Sequence, residues 1–475
     1  MVLKILQNTP FLLALILLEL IYLSTGVAND YITISVYITY IISLYLIDKR
    51  FLLRYSYIIF YITTNIIGVF LIETNNLFLT ELMTFSHNNN SLLLLTIAHV
   101  LFIETIRFLH NTKQDKIVNS VNSKISFFRF EITKLKLVEI FLFIIFVTFL
   151  VLFLRVIDKP FFLVKLDRFL YKENYLPFLV DKITNSALYL TPLISMYFFY
   201  TKKKKALLLL SLIVLYLFWI GHKFSFFIVI FYIISLPFIR YGSNKTINKI
   251  FKSSVVIVFA LLIVVSIQSI IVYQRDFSEN SLYLKQRLAQ QGQLWWATYG
   301  LMKEQEGRLN EIKDELKTYY KLNVDSNDLL NSGMYKIMQL TTPHDVFIRK
   351  IEDKNSRYAY STQASIYYYF KGVGVIIFSI ISGVFYFYIN RGLVSNLISF
   401  NIIPSILYAR LMFISHVVLM QSDFNKLFSI EVIVIVYILL ILSIIKKISS
   451  SRNYATIPKN YQNTTYTTNV RINLF

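Results

Sequence analysis

The sequence predicts an all-α, polytopic membrane protein with about 12 transmembrane helices and a helical cap outside the membrane, between the ninth and tenth spans. Hydrophobic residues make up 56% of the 475 residues and charged residues only 16%, which is more apolar and less charged than is usual for a soluble domain. The apolar residues form blocks of roughly 17–22, the length that crosses ~30 Å of hydrocarbon. Basic residues are concentrated in alternate connecting segments, as the positive-inside rule requires.

The apolar blocks define the order of elements along the chain. They cover residues 11–28, 31–47, 55–72, 91–109, 137–156, 183–201, 206–220, 224–239, 253–273, 372–390, 397–420 and 428–445. The first block is predicted to be a membrane helix, not a signal peptide, because many similar blocks follow it. The predicted regions are spans one to nine (1–273), the cap (274–371), spans ten to twelve (372–447) and a Ser-, Asn- and Thr-rich tail (448–475) that we expect to be disordered.

The distribution of charge predicts the orientation. With both termini inside, the inner segments carry 25 basic residues, whereas the outer loops 28–31 and 73–90 carry no Lys or Arg. The formal net charge of +21 is therefore mainly a property of the inner surface. Residues 274–362 hold 13 basic and 12 acidic residues, so this loop is nearly neutral and no nucleic-acid partner is expected.

The polar segment 274–371 is predicted to be helical. Its first part places Leu284, Leu288, Gln291 and Trp295 on one side of a helix. Residues 300–322 are rich in Glu, Lys and Leu, with Glu311 and Glu315, and Lys313 and Lys317, spaced at four residues, which is typical of an exposed helix. A third helix is predicted from a cap at 325–326 through 338, before the proline at 343.

Arg410 is the sharpest single feature because it lies well inside a predicted span. An intramembrane arginine costs at least about 2.5–3.5 kcal/mol on insertion scales, so it is usually paired or functional. The structural alternatives are an ion pair with Glu104, Glu139 or Glu431, or extension of the side chain towards the interface.

Further candidate residues lie where the polar segment leaves the membrane. Arg275 and Arg287 could bind phosphate oxygens, with ion pairing to Asp276 or Glu279 as the alternative. Amides, a glycine and two indoles follow at once. Amides and exposed indoles suit sugar rings, although interfacial anchoring explains the tryptophans equally well. These candidate substrate-binding residues are Gln291, Gly292, Trp295 and Trp296.

Two further cations are weaker candidates. Lys223 lies in the sequence Gly-His-Lys-Phe-Ser (221–225) between two spans, where it could bind an anionic head group or simply lie in the interface. His344 is the only histidine of the polar segment and could act as a general base, although a single loop histidine is more often just solvated.

Several kinds of site are missing from the sequence. The chain contains no cysteine, so it can form neither a disulfide framework nor a thiolate metal site. It also lacks the phosphate-binding loop, the dinucleotide fingerprint and the His-Glu-x-x-His zinc motif. We therefore predict no metal and no cofactor, and any reaction would draw on an activated substrate or an ion gradient.

Three local patterns stand out in the chain: GHKFS at 221–225, RLAQQGQLWW at 287–296 and YYYFKGVG at 367–374. Together they resemble the O-antigen polymerase family, the oligosaccharide repeat-unit polymerases of bacterial surface glycans. The resemblance covers roughly residues 210–430. It implies a metal-independent, inverting membrane glycosyltransferase related in architecture to the GT-C enzymes, which use lipid-linked sugars.

The resemblance implies transfer of a growing glycan from undecaprenyl diphosphate to the next lipid-linked repeat. Arg275, Arg287 and Arg410 would neutralise the leaving diphosphate with help from Lys223, and a base would deprotonate the acceptor hydroxyl. Related ligases carry a histidine near the end of the loop, but residues 357–365 read RYAYSTQAS here, which leaves His344 as the candidate.

The expected partners are the undecaprenyl-diphosphate-linked oligosaccharide, membrane lipid and a chain-length regulator protein. The expected location is the bacterial inner membrane, with the cap in the periplasm and both termini cytoplasmic. Two alternative functions stay open on the sequence: a lipid-linked oligosaccharide flippase, which an intramembrane arginine would also suit, and an O-antigen ligase.

Overall fold

A computed structural model describes residues 29–112, 124–127, 130–164, 168–201, 204–222, 224–273, 277–320, 333–352, 358 and 362–455. The first predicted span, 11–28, lies outside these residues. Two compact units are present, residues 1–428 and 429–475. The second unit contains one described helix, Ile430–Ala455. This helix continues to residue 455, eight residues beyond the predicted end of the last transmembrane region at 447.

The first half of unit one is helical apart from two short hairpins. Its helices are α1 (Asp30–Ile47), α2 (Lys49–Arg54), α3 (Ser56–Asn75), α4 (Ser91–Thr112), α5 (Lys134–Val156), α6 (Phe161–Val164), α7 (Arg168–Tyr175), α8 (Phe178–Thr201), α9 (Lys204–Trp219), α10 (Phe224–Tyr241) and α11 (Asn244–Tyr273). Strands β1 (Phe78–Leu79) and β2 (Thr84–Phe85) pair antiparallel, as do β3 (Lys124–Phe127) and β4 (Phe130–Thr133). The hairpins are small exceptions to the predicted all-α fold.

The second half begins with the polar segment and ends with two long apolar helices. The polar segment forms α12 (Phe277–Ala289), α13 (Gln293–Met302), a 3-10 helix (Leu309–Glu311), α14 (Ile312–Tyr320), α15 (Gly333–Thr341) and α16 (His344–Glu352). Helices α17 (Thr362–Ile398) and α18 (Ile402–Gln421) follow, then a 3-10 helix at Phe424–Phe428, and the helix of unit two is α19. The prediction that this segment is helical agrees with the described residues.

Six helices in the described part of the chain are long and apolar enough to cross a membrane. They are Asp30–Ile47, Ser56–Asn75, Ser91–Thr112, Lys134–Val164, Thr362–Ile398 and Ile402–Gln421. Two shorter apolar helices cover Phe226–Tyr241 and Ile430–Ile445. A multi-pass, largely helical membrane protein is therefore the architecture of this chain. Most predicted spans after the first overlap one described helix to within two residues, but the predicted span 397–420 begins at the end of α17 and continues in α18.

Helix α17 lies at the centre of unit one and packs along both α4 and α18. Gly383 permits the close approach to α4, because a Cβ atom there would lie 2.9 Å from the backbone O of Phe102. Helices α8 and α10 pack together at a second contact, and α18 also packs on α8. These contacts form the helical frame against which the polar segment is placed.

The polar segment is part of the same hydrophobic core as the long helices. Helix α13 packs on α3, α4, α15 and α17, and α12 packs on α3. One face of α13 is buried among them, including Leu294, Trp295 and Met302. Because this apolar surface would otherwise be exposed to water, its burial fixes the segment against the ends of the long helices.

Candidate functional site

The turn between α12 and α13 packs so closely on α3 that backbone atoms of the two elements approach each other. A Cβ atom on Gly292 would lie 2.5 Å from the backbone N of Val69, and one on Gly68 would lie 2.5 Å from a backbone O of α12. On α3, Asn65 donates from Nδ2 to the backbone O of Gln291 at 2.5 Å. Glycines on both sides of the contact let the polar segment rest directly on the long helix.

Arg287 lies in the last turn of α12, just before this contact, and its side chain is exposed. Its Nε donates to the hydroxyl of Tyr283 at 2.9 Å, and its Nη1 donates to Oε1 of Gln290 at 3.0 Å. Its Nη2 has no hydrogen-bond partner among the residues that the structure describes. A planar cation that is held by two neighbours and has N–H groups to spare is well suited to phosphate oxygens.

Trp295 and Trp296 are buried, whereas the prediction of a sugar-binding surface assumed exposed indoles. Nε1 of Trp295 donates to the backbone O of Ser91 at 3.0 Å, and Nε1 of Trp296 donates to that of His87 at 2.9 Å. The backbone O of Trp296 accepts from Asn89 at 2.9 Å. The two indoles anchor α13 to the connection between α3 and α4, and in this conformation neither offers a face to a sugar.

The other two predicted sugar-binding residues are also engaged within the protein. Gln291 is half-buried, and its Nε2 donates to the backbone O of Arg287 at 3.2 Å. Gly292 is buried at the close contact with α3. In this conformation Gly292 serves packing, and Gln291 stabilises the end of α12.

A line of polar and aromatic side chains follows α3 away from this contact. Asn65, Tyr61 and Tyr57 are spaced by four residues, so they share one face of the helix. Oδ1 of Asn65 lies 2.9 Å from Nε2 of the buried His99. The ring of His416 on α18 lies between the two tyrosines, with centroids 4.4 Å from Tyr61 and 4.8 Å from Tyr57. Our sequence interpretation missed Asn65 and His99, although polar residues inside apolar spans were the available signal.

Arg410 lies within α18 and packs on an aromatic ring. Its guanidinium carbon is 4.5 Å from the ring centroid of Tyr189 on α8, a cation–π distance. Glu104, one suggested ion-pair partner, instead pairs with Arg107 at 3.0 Å and accepts from the hydroxyl of Tyr40 at 2.7 Å. Glu104 is thus held by Arg107 and Tyr40, and an ion pair of Arg410 with a carboxylate stays a structural alternative.

Helix α17 is broken at Lys371, where it leaves the polar segment. Lys371 has φ 58° and ψ −160°, a backbone conformation that is costly for any residue except glycine. Its Nζ donates to the backbone O of Met302 and lies 5.1 Å from the ring centroid of Tyr367. The backbone O of Tyr368 accepts instead from the N–H of Arg308 at 3.1 Å. Glycines follow at 372 and 374, but the break falls on the lysine before them.

An ion pair connects two short elements beside this break. Nζ of Lys336 on α15 lies 2.6 Å from Oε2 of Glu311 in the first 3-10 helix, and the hydroxyl of Tyr368 donates to the same oxygen at 2.8 Å. The hydrogen bond from Lys336 is the largest cause that lowers the pKa of Glu311. The ion pair and the tyrosine together connect the polar segment to the start of α17.

The remaining predicted site residues fall into two groups. Arg275 and Lys223 lie outside the described residues. His344 is exposed at the start of α16. The glycine turn before Lys223 is present, since Gly221 has φ 64° and a Cβ there would collide with the ring of Phe161.

The structure gathers some of the predicted residues and separates others. Arg287, Gln291 and Gly292 meet at one turn over α3, whereas Arg410 packs on α8 through a different helix. Convergence of Arg275, Arg287 and Arg410 on one cavity stays a prediction.

A family model described as "Family of unknown function (DUF6418)" matches residues 327–436. The matched part contains α15 to α18, and with them the break at Lys371 and also His344 and Arg410. Comparison with curated proteins and with solved structures gives no match.

Proposed function

We propose that this protein is a membrane glycosyltransferase that polymerises lipid-linked oligosaccharide repeat units of a bacterial surface glycan. The observation that carries the proposal is the exposed guanidinium of Arg287, held by Tyr283 and Gln290 just before the turn that packs on the membrane-length helix α3. We propose that the lipid diphosphate binds beside this guanidinium, with its polyprenyl chain in the hydrocarbon.

In the proposed reaction the bond between the anomeric carbon of the donor glycan and its diphosphate oxygen breaks. The hydroxyl of the next lipid-linked repeat attacks the anomeric carbon from the opposite face, which inverts the configuration, and its proton passes to a base. Arg287 stabilises the negative charge that develops on the leaving diphosphate. Arg275, Arg410 and Lys223 are proposed to contribute further positive charge, and His344 is the proposed base.

The proposed setting is the inner membrane of a bacterium, with the polar segment in the periplasm and both termini in the cytoplasm. The asymmetry of basic residues between the loops supports this orientation. Lipid-linked repeats meet the enzyme by diffusion in the outer leaflet, so the side chains that bind diphosphate are expected at the outer membrane boundary.

The test compares Arg287→Ala with Arg349→Ala, an exposed arginine of the same segment that pairs with Asp345 on its own helix. Membranes containing each variant receive lipid-linked repeats extracted from a strain that lacks the gene. We expect Arg287→Ala to lower the rate of chain elongation about a hundred-fold, and Arg349→Ala to leave it unchanged. Gel profiles of the products measure the rate, and immunoblots measure membrane levels.

Two outcomes would contradict the proposal. If the wild-type protein does not lengthen lipid-linked repeats that are already on the outer face, the polymerase activity is wrong. If a strain without the gene attaches no repeat at all to its acceptor, instead of a single repeat, the reaction is ligation and not polymerisation.

A further inference from the structure

A polar cavity lies at the C-terminal end of α1. Its volume is about 430 Å³, and it lies between the end of α1, the start of α2 and the first turns of α11. Its polar lining comes from Asp48, Lys49, Arg50, Asn244 and Asn248. A cavity of this size accommodates a small molecule or a lipid head group.

The two cations of the lining are fixed in place without being neutralised. Nζ of Lys49 donates to Oδ1 of Asn248 at 2.8 Å and lies 4.4 Å from the ring centroid of Tyr45. Nη1 and Nη2 of Arg50 donate to the backbone O of Arg240 and of Gly242, at 3.2 and 2.9 Å. Their partners are uncharged, so both side chains keep their full charge and have N–H groups left for a ligand.

The charge balance around the cavity favours an anion. Asp48 is the one acidic residue of the lining, and its Oδ1 accepts from the backbone N of Phe51 at 2.9 Å. Lys49 and Arg50 outnumber it, and the exposed Lys245 and Lys249 on the first turns of α11 add to the positive field.

The border of the cavity is apolar and exposed. Leu46 and Ile47, which end the membrane-length helix α1, line it and are 74% and 43% exposed. A cationic cavity beside exposed aliphatic side chains at the end of a span matches a molecule with a phosphate next to acyl chains. A free anion would make no use of the apolar border.

We propose that this cavity binds the phosphate head group of an anionic phospholipid, with the acyl chains lying along the end of α1. In the orientation predicted from the sequence, the lipid belongs to the inner leaflet. The site is separate from Arg287 and does not depend on the proposed transferase activity. Each basic side chain near a membrane surface contributes about 1 kcal/mol to such binding, which corresponds to about a five-fold change in affinity.

The experiment measures thermal unfolding of the purified full-length protein in a neutral detergent. The additives are short-chain phosphatidylglycerol, short-chain phosphatidylcholine and inorganic phosphate. We expect phosphatidylglycerol to raise the unfolding temperature of the wild type and the other two additives to have no comparable effect. Lys49→Gln should weaken the apparent affinity for phosphatidylglycerol about five-fold, and the double variant Lys49→Gln/Arg50→Gln more strongly.

The matched control is Lys205→Gln, which removes an exposed cation from the start of α9, away from the cavity lining. It should respond to phosphatidylglycerol as the wild type does. A full response by Lys49→Gln would overturn the proposal, and so would an equal response of the wild type to inorganic phosphate, which would indicate a free-anion site. Arg50 also donates to backbone carbonyls at the end of α10, so the double variant could lose stability for that reason alone. If the double variant does not fold, the affinity of the single Lys49→Gln variant for phosphatidylglycerol tests the proposal.

Discussion

Gly292 lets the backbone of the polar segment pack directly against the backbone of α3. The effect of adding one methyl group there on stability can therefore be predicted. In Gly292→Ala the new Cβ would lie 2.5 Å from the backbone N of Val69 and 2.8 Å from the backbone C of Gly68. Backbone atoms of two packed helices cannot move aside cheaply, so we expect destabilisation of about 1–3 kcal/mol or more. Thermal unfolding of the purified protein in detergent measures the loss.

The matched control at the residue scale is Gly372→Ala. A Cβ at Gly372 would lie 3.5 Å from Cδ2 of Leu94, which is ordinary van der Waals contact. Alanine is the better helix former by about 1 kcal/mol, so this variant should unfold at the same or a higher temperature. Equal stability of the two variants would show that the α12–α13 turn does not press on α3 as described.

At the scale of single elements, the positions of helices follow from sequence but their partners do not. The long apolar runs and the helical spacing in the polar segment are local properties, and most described helices lie where these patterns predict them. Exceptions in the polar segment include residues 303–308, which interrupt the helix predicted over 300–322, and α16, which was not predicted. The burial of Trp295 and Trp296 depends on backbone oxygens of Ser91 and His87, which lie more than 200 residues away in the chain. No local pattern carries that information, so exposed indoles were a reasonable but incorrect expectation.

The ion pair between Glu311 and Lys336 connects two elements and should make their contact sensitive to pH. The hydrogen bond from Lys336 lowers the pKa of Glu311 below its ordinary value of 4.5. The stabilisation is therefore complete above pH 4.5 and is lost as the pH falls through the lowered pKa. We expect faster amide hydrogen exchange in Leu309–Tyr320, after correction for intrinsic rates, once the pH drops below that range.

Two variants check the assignment to this one pair. Glu311→Gln should show fast exchange in Leu309–Tyr320 already at neutral pH, with little further change on acidification. Asp314→Asn is the control, because the pKa of Asp314 is also lowered, but its largest cause is the hydrogen bond from Lys317 within the same helix, α14. If Asp314→Asn alters the exchange as much as Glu311→Gln does, the link between elements is not the cause.

At the scale of the whole molecule, α11 directly precedes the polar segment, so the side of the membrane on which the polar segment lies depends on whether α11 crosses the bilayer. Its 30 residues, Asn244–Tyr273, span about 45 Å at 1.5 Å per residue, enough to cross a bilayer. The first turns of α11 are basic and are predicted from the charge asymmetry to lie inside, whereas the nearly neutral polar segment follows its other end. The two ends of α11 should therefore react with reagents on opposite sides of the membrane.

Single-cysteine labelling tests this directly, because the chain contains no cysteine and gives no background. Lys313→Cys on α14 and Lys245→Cys on α11 both replace exposed lysines, so neither thiol is hidden by packing. We expect a membrane-impermeant maleimide to label Lys313→Cys in intact cells with a permeabilised outer membrane, and Lys245→Cys only after the inner membrane is opened. The reverse pattern would invert the topology, and labelling of both in intact cells would show that α11 does not cross. Because Lys245 lies beside the cationic cavity at the start of α11, its accessibility also tells which leaflet that cavity meets.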